Sequence, residues 1–270
     1  MNLPLEKVRE PQPLATSSAQ IELRTVTKRY GNGLPVLEDI NLSVAESEFV
    51  SIIGPSGCGK STLLKLVAGL TRLNSGSIQV AGVEPVRARK MMSFMFQDAT
   101  LLPWRTVQRN VELSTELHGL KRAERAAIAG KMLSLVGLAQ VAQQFPRQLS
   151  GGMKMRVSIA RALSTRPKVL LMDEPFAALD EMTRDRLNEE LLRLRAESRW
   201  TGLFVTHSVA EAVFLSDRII VLAAQPGRLA YDLPIHFSFP RNGELRLRGE
   251  FEEAVIDVSK KLRSVMEWGR

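Results

Sequence analysis

The spacing of apolar positions changes several times along the chain, and each change marks an element. From Ile21 the residues alternate, with Ile21, Leu23 and Thr25 on one side. That pattern predicts a strand over 21–26 leading to Tyr30, and Gly31, Asn32 and Gly33 then supply a turn. Residues 36–44 read as a second strand region. Phe49, Val50, Ser51, Ile52 and Ile53 form a nearly continuous apolar run ending at Gly54, as expected of a strand buried on both faces. Over 61–70 the spacing becomes helical and stops near Gly69. Strand, glycine-rich turn and helix in that order open an α/β domain.

Between about 98 and 165 strand-like runs become scarce. Helices are expected over 113–119, 122–137 and 153–163, with Ala129, Leu133, Val136 and Gly137 on one face of the second. This stretch reads as a helical lobe inserted into the α/β domain. The α/β pattern then returns with strands over 169–172, 202–206 and 217–222 and an amphipathic helix over 184–197. Residues 228–248 are mixed, broken by Pro234, Pro240 and Gly243. Phe251, Ala254, Val255, Val258 and Leu262 recur at helical spacing and predict a closing helix. Residues 1–20 read as a tail, because Pro4, Pro11 and Pro13 break any regular element and no apolar segment follows Lys7 and Arg9 as a secretory signal requires.

Composition narrows the function classes. The 270 residues carry 44% apolar and 24% charged side chains, which is globular rather than disordered. The single cysteine excludes an intrachain disulfide framework and points to a reducing compartment. No run approaches the length of a membrane-spanning helix. The net charge of +8 suits nucleic acid, an anionic surface or a phosphorylated small molecule. The basic residues are scattered, there is no Cys/His finger pattern, and no aromatic-basic stripe occurs, so nucleic acid is not the expected partner.

The chemistry-bearing signal is Gly54-Pro55-Ser56-Gly57-Cys58-Gly59-Lys60-Ser61, a full G-x-x-x-x-G-K-S phosphate loop, with Thr62 following. Its context fits: a buried strand before it and an apolar helix after it. The glycines let successive N–H groups turn inward toward phosphate oxygens, and the helix start adds its positive end. Lys60 is placed to reach the terminal phosphates and Ser61 to hold Mg²⁺. Cys58, among helix-start N–H groups and beside Lys60, is expected to have a lowered pKa and to be open to alkylation.

A nucleotide site also needs a carboxylate for the metal. Val169-Leu170-Leu171-Met172 runs straight into Asp173 at a strand's C-terminal end, where α/β sheets keep their ligands. Glu174 follows and is the candidate base; the alternative is a solvated turn residue. Gln97, just after the run 91–96, sits where the α/β pattern gives way to the helical lobe. His207 ends the run 203–206; it serves either the γ-phosphate and Glu174 or a packing role. His118 and His236 read as structural. Tyr30 offers either a ring to stack on a base or plain packing. Leu149-Ser150-Gly151-Gly152-Met153 precedes a helix and forms a second anion site. Two such devices serve two ligands, or close on one ligand from two subunits.

Taken together, over about 21–230, these residues resemble the ATP-binding subunit of ABC transporters. The order is Tyr30, the loop 54–61, Gln97, the signature 149–153, Asp173 and Glu174, Ala178-Leu179-Asp180, and His207. The resemblance implies a RecA-like α/β core, an N-terminal antiparallel β region and an inserted helical subdomain. It divides the chain into a tail over 1–20, an ATP-binding domain over 21–235 and an extension over 236–270. It implies ATP and Mg²⁺ as cofactors and a head-to-tail homodimer, with each ATP between loop 54–61 of one copy and Ser150, Gly151 and Gly152 of the other. Tyr30 would stack on adenine, Gln97, Ser61 and Asp173 would serve the metal, Glu174 would act as base, His207 would contact the γ-phosphate, and Asp180 would link the two sites.

The chain looks more like an importer subunit than an exporter one. Phe145-Pro146-Arg147-Gln148 and the stretch Asp98-Ala99-Thr100-Leu101-Leu102-Pro103-Trp104 are similar to importer sequences. The latter, with Pro226-Gly227-Arg228, looks like the subgroup serving nitrate, taurine and alkanesulfonates, with relatives for pyrimidine precursors. That resemblance implies a separate membrane permease, an external solute-binding protein and a place on the cytoplasmic face of the membrane. An apolar docking groove is expected beside Gln97 near Leu101, Leu102 and Trp104. Departures are Ala177, Ser208 where aspartate is common, and Lys154 and Met155 after the signature. None removes a group the chemistry requires.

Overall fold

A computed structural model describes residues 19–267. Strands β1 (Ile21–Arg29), β2 (Pro35–Val44) and β4 (Ser75–Val80) form an antiparallel sheet in the order β2-β1-β4. The alternation expected in β1 breaks at Thr25, which has a positive φ of 47° and is exposed, while Val26 takes the inward position. The register shifts at the same place, so a bulge explains the change of face.

The second sheet joins β3 (Phe49–Ile53), β5 (Met92–Met95), β6 (Val169–Asp173), β7 (Thr201–Val205), β8 (Arg218–Leu222) and β9 (Leu229–Pro234). Its order is β5-β6-β7-β3-β8-β9, parallel except for β9. The central strands divide two cores. Phe49, Ile53, Leu170, Met172, Phe204, Ile219 and Val221 enter one; Val50, Ile52, Leu171, Leu203, Val205, Ile220 and Leu222 enter the other. This two-sided burial is why these strands read as continuous apolar runs.

Helix α1 (Lys60–Val67) fills the space between the sheets with Leu63, Leu64, Leu66 and Val67. A four-residue helix, α2 (Pro85–Ala88), precedes β5. The helical lobe contains α3 (Val107–Leu117), α4 (Arg122–Leu135) and α5 (Gly151–Leu163). Helix α3 begins six residues before the expected start, because Thr106 caps it and accepts the Arg109 N–H at 3.3 Å. Ala129, Leu133 and Val136 are buried together, as their spacing requires. Helix α6 (Glu181–Ser198) follows β6, and α7 (Val209–Leu215), which the periodicity does not reveal, follows β7.

The closing helix is α8 (Gly249–Glu267), whose Phe251, Val258 and Val265 share the core under β8. Arg241 ties this last segment to α7. It is only 5% exposed, and Nη1 donates to the carbonyls of Phe214 and Ser216 at 2.9 Å, at the negative end of the helix. Burial pushes the Arg241 guanidinium down to about 10.

Candidate active site

The loop after β3 takes its shape from glycine. Gly54, Gly57 and Gly59 have φ of 158°, 78° and 99°. A Cβ at Gly54 would lie 2.7 Å from the Leu222 carbonyl oxygen, and one at Gly59 2.6 Å from Leu37 Cδ2. The loop is also braced from behind: a Cβ at Gly227 would lie 2.1 Å from the Cys58 carbonyl oxygen. No side chain larger than hydrogen fits at these approaches.

Lys60 begins α1 and is 5% exposed. Its Nζ donates to the carbonyls of Gly54 at 2.8 Å and Pro55 at 2.9 Å, so the ammonium lies across the mouth of the loop. Two of its three N–H donors are thereby used, and the third faces only Cys58 Sγ at 3.9 Å, a weak acceptor that an anion can replace. Ser61 Oγ donates to Asp173 Oδ1 at 2.8 Å, which joins the start of α1 to the end of β6.

Cys58 departs from expectation. Its side chain is fully buried, and burial pushes the thiol up despite the charge of Lys60. The sulfur is enclosed behind the loop: a Cβ at Gly54 would lie 2.8 Å from Cys58 Sγ, and the residue joins the core cluster under α1.

Glu174 follows directly in left-handed backbone at φ 49°, with its N–H donating to the Val205 carbonyl at 3.0 Å. That turn lifts the side chain out of the sheet, at a backbone cost of about 1–2 kcal/mol. Its Oε1 lies 2.7 Å from His207 Nε2. Both groups line a cavity of about 270 Å³ with Ala177, Arg184, Thr206, Ser208 and Glu211. Of these, Arg184 and Glu211 escaped the sequence reading; Glu211 stands four residues after His207 in the same segment, the one local signal available. Ser208 explains its own departure from aspartate. Its Oγ caps α7 by accepting the Glu211 N–H at 3.2 Å, a task both residue types perform.

Lys60, Ser61, Asp173, Glu174 and His207 therefore gather at the C-terminal ends of neighbouring parallel strands, where such sheets keep their ligands. Gln97 is exposed two residues beyond Met95, which pairs with Met172, so it leaves the same end of the sheet one strand over. Arg161 of α5 holds the segment that follows, donating to the carbonyls of Ala99 and Thr100 at 2.8 and 2.9 Å. Leu101 packs against the core, while Leu102 is half-buried and Trp104 is 72% exposed, so these two carry the apolar surface there.

Tyr30 lies in the turn after β1, half exposed, with Lys28 Nζ 4.7 Å above its ring. Ser150 caps α5, its Oγ accepting the Met153 N–H at 3.3 Å, and Gly151 and Gly152 open that helix. A Cβ at Gly152 would lie 2.8 Å from Thr183 Cγ2 and one at Gly151 3.6 Å from Leu179 Cδ2. Within one chain the signature thus adjoins the start of α6, not the phosphate loop. Asp180 caps α6 by accepting the Thr183 N–H at 2.9 Å, and that bond holds its carboxyl below the usual range.

The family model for the ABC transporter matches residues 37–177. The chain belongs to the ABC transporter family. It is an ABC-type ATPase, an ATP-binding cassette of mixed α/β fold. An uncharacterized ABC transporter ATP-binding protein of Methanocaldococcus jannaschii is 42% identical over 95% of this chain and 97% of its own. The taurine import ATP-binding protein TauB of Escherichia coli is 45% identical over 77% of this chain and 82% of its own. The nitrate import ATP-binding protein NrtC of Synechococcus elongatus is 46% identical over 76% of this chain, which spans only 32% of that longer protein. Among solved structures, the ATP-binding cassette MJ0796, a dimer in a post-hydrolysis state with ADP and Pi, matches with a TM-score of 0.71. It shares 32% identity over 81% of this chain and all of its own. Among the described residues of this cassette no helix is long and apolar enough to cross a membrane.

Proposed function

We propose that the chain hydrolyses ATP to drive import of a small anionic solute, of the sulfonate, taurine or nitrate kind, through a separate membrane permease. The observation that carries the ATPase chemistry is the contact between Glu174 and His207 at 2.7 Å beside the contact between Ser61 and Asp173 at 2.8 Å. The solute class rests on the taurine and nitrate import relatives. An external solute-binding protein would deliver the solute, and the cassette would sit at the cytoplasmic face of the membrane as a peripheral subunit.

The loop N–H groups of residues 54–61 and the ammonium of Lys60 would bind the ATP phosphates, with Thr62 beside them and the Tyr30 ring against the base. Ser61 and Asp173 present adjacent hard oxygen donors, which fit Mg²⁺, and Gln97 would complete that side. Bound there, the ion would offset phosphate charge in the transition state. Glu174 would take the proton of the attacking water, and His207 would hold the Glu174 carboxylate and the γ-phosphate in register. Ser150, Gly151 and Gly152 of a second copy would close the site, because the helix start of α5 is exposed and offers N–H groups to an anion.

Glu174→Gln tests the base. The variant is expected to bind ATP, to dimerise with it and to lose at least about 100-fold in turnover. Full turnover would remove Glu174 from that role. A strain lacking the gene tests the solute, grown on taurine or alkanesulfonates as sole sulfur and on nitrate as sole nitrogen. Loss on one source that complementation restores names the solute; normal growth on all of them overturns the solute class and leaves the ATPase standing.

A further inference from the structure

One buried carboxylate braces the hydroxyl that holds the peptide after His207. Thr206 Oγ1 accepts the Ser208 N–H at 3.0 Å and donates its own proton to Glu211 Oε2. The Glu211 N–H returns to Ser208 Oγ at 3.2 Å. The other carboxylate oxygen, Oε1, accepts from the Asn188 amide nitrogen at 3.1 Å, and the Asn188 oxygen accepts from Arg246 Nη2 at 3.3 Å. With the amide turned this way both contacts are hydrogen bonds; with it reversed neither is. Glu211 and Thr206 are each 4% exposed and Asn188 is fully buried.

Arg246 comes from the short helical turn Gly243–Leu247 after β9. It pairs with Asp185 Oδ1 at 3.0 Å, and its guanidinium lies 4.1 Å over the Phe214 ring. A continuous chain of polar contacts therefore runs from the turn after β9 to the peptide that joins His207 to Ser208. A carboxylate buried this deeply is costly, and burial pushes the Glu211 carboxyl up. Simple anchoring of α7 does not require it, since Ser208 already caps that helix.

We propose that Arg246, Asn188 and Glu211 form a positioning relay through which the segment after β9 sets His207 against Glu174 and so sets the rate of ATP hydrolysis. The relay rests on the roles given above to His207 and Glu174. Arg246 fixes the Asn188 amide, the amide fixes the Glu211 carboxylate, and the carboxylate fixes the Thr206 hydroxyl on which the Ser208 peptide hangs. When the first contact is lost, Asn188 and then Glu211 can turn, and the loop carrying His207 shifts although no atom in contact with phosphate has changed.

The test is turnover and histidine NMR on the full chain with Arg246→Gln, Arg246→Lys, Glu211→Gln and His207→Ala. Arg246→Gln and Glu211→Gln are expected to lower kcat about fivefold with KM within about twofold, the split of a positioning residue. Arg246→Lys retains a donor and should recover most of that loss. The chain has three histidines, so imidazole signals are assignable by substitution. The His207 signal should shift in both variants, while that of His118, bonded to the Ser114 carbonyl at the end of α3, stays fixed. Unchanged kcat and an unchanged His207 signal, with thermal stability lowered, would reduce the relay to a structural tie and overturn the proposal. Normal turnover in His207→Ala would instead remove the role of His207, and the relay with it. Loss in His207→Ala but none in Arg246→Gln would remove the relay alone.

Discussion

Cys58 shows how far one residue departs from its neighbourhood in sequence. It stands inside the phosphate loop, next but one to Lys60, and that proximity alone predicts an activated thiol. Burial overrides the charge, because a fully covered sulfur ionises against a low dielectric. Two results follow. Iodoacetamide should label the native protein far more slowly than the denaturant-unfolded chain, at a rate set by loop opening rather than thiolate content; equal rates would place the sulfur at the surface. The pH dependence has a definite sign. The native thiol keeps its proton to higher pH than the unfolded one, so its contribution to stability is full below the ordinary thiol value of about 8.5 and fades as pH rises through the raised native value. Urea midpoints of the protein and of Cys58→Ala, compared between neutral and alkaline pH, should therefore converge as pH rises. The candidate binding residues of the loop are legible because their geometry is local: glycine at positive φ, then Lys60 and Ser61 at a helix start.

Elements divide by whether burial is written in a short stretch of chain. Strands β3, β6, β7 and β8 are buried on both faces and announce themselves as apolar runs. Strands β4 and β9 lie at sheet edges, carry Ser75, Gly76, Ser77 and Asp232 among exposed positions, and give no such run. Helix α7 is seven residues long and wholly inside the core from Glu211 to Leu215, so no polar face marks its period. The loop over 101–106 is held by a residue no pattern singles out. Asn110 of α3 is fully buried; its Oδ1 accepts the Leu102 N–H at 2.7 Å, and its Nδ2 lies 3.0 Å from the Thr106 carbonyl oxygen and 3.1 Å from those of Leu102 and Arg105. Asn110→Ala should cost about 1–3 kcal/mol in chemical unfolding, because it leaves the Leu102 N–H without its acceptor and takes a donor from the part-buried Arg105 carbonyl. Hydrogen exchange should show the effect where it arises, with faster exchange at Leu102 and little change in β6. A uniform increase across the sheet would mean that Asn110 supports the whole lobe instead of shaping the loop that carries Trp104.

At the scale of the molecule, the two candidate anion sites do not meet. The loop over 54–61 closes on the ends of β6 and β8, while Gly151 and Gly152 adjoin Leu179 and Thr183 at the start of α6. Sequence order puts both in one chain, and only the fold shows that one copy does not bring them together. The proposed head-to-tail pair would, and mixing crippled copies tests it. Lys60→Ala damages the loop and leaves the signature intact. Gly151→Asp damages the signature and should leave the fold intact, since an acid in the first turn of α5 suits the helix end, and a Cβ at that position meets only Leu179 Cδ2 at 3.6 Å. Each variant alone should be inactive. In a mixed dimer one site carries both lesions and the other carries neither. Random pairing makes half the dimers mixed, each with one sound site of two, so an equimolar mixture should recover about a quarter of the original turnover. A site contained within one chain predicts no recovery at any ratio, because every copy then carries a lesion of its own. The measurement therefore separates a shared site from two separate ones without reference to the permease.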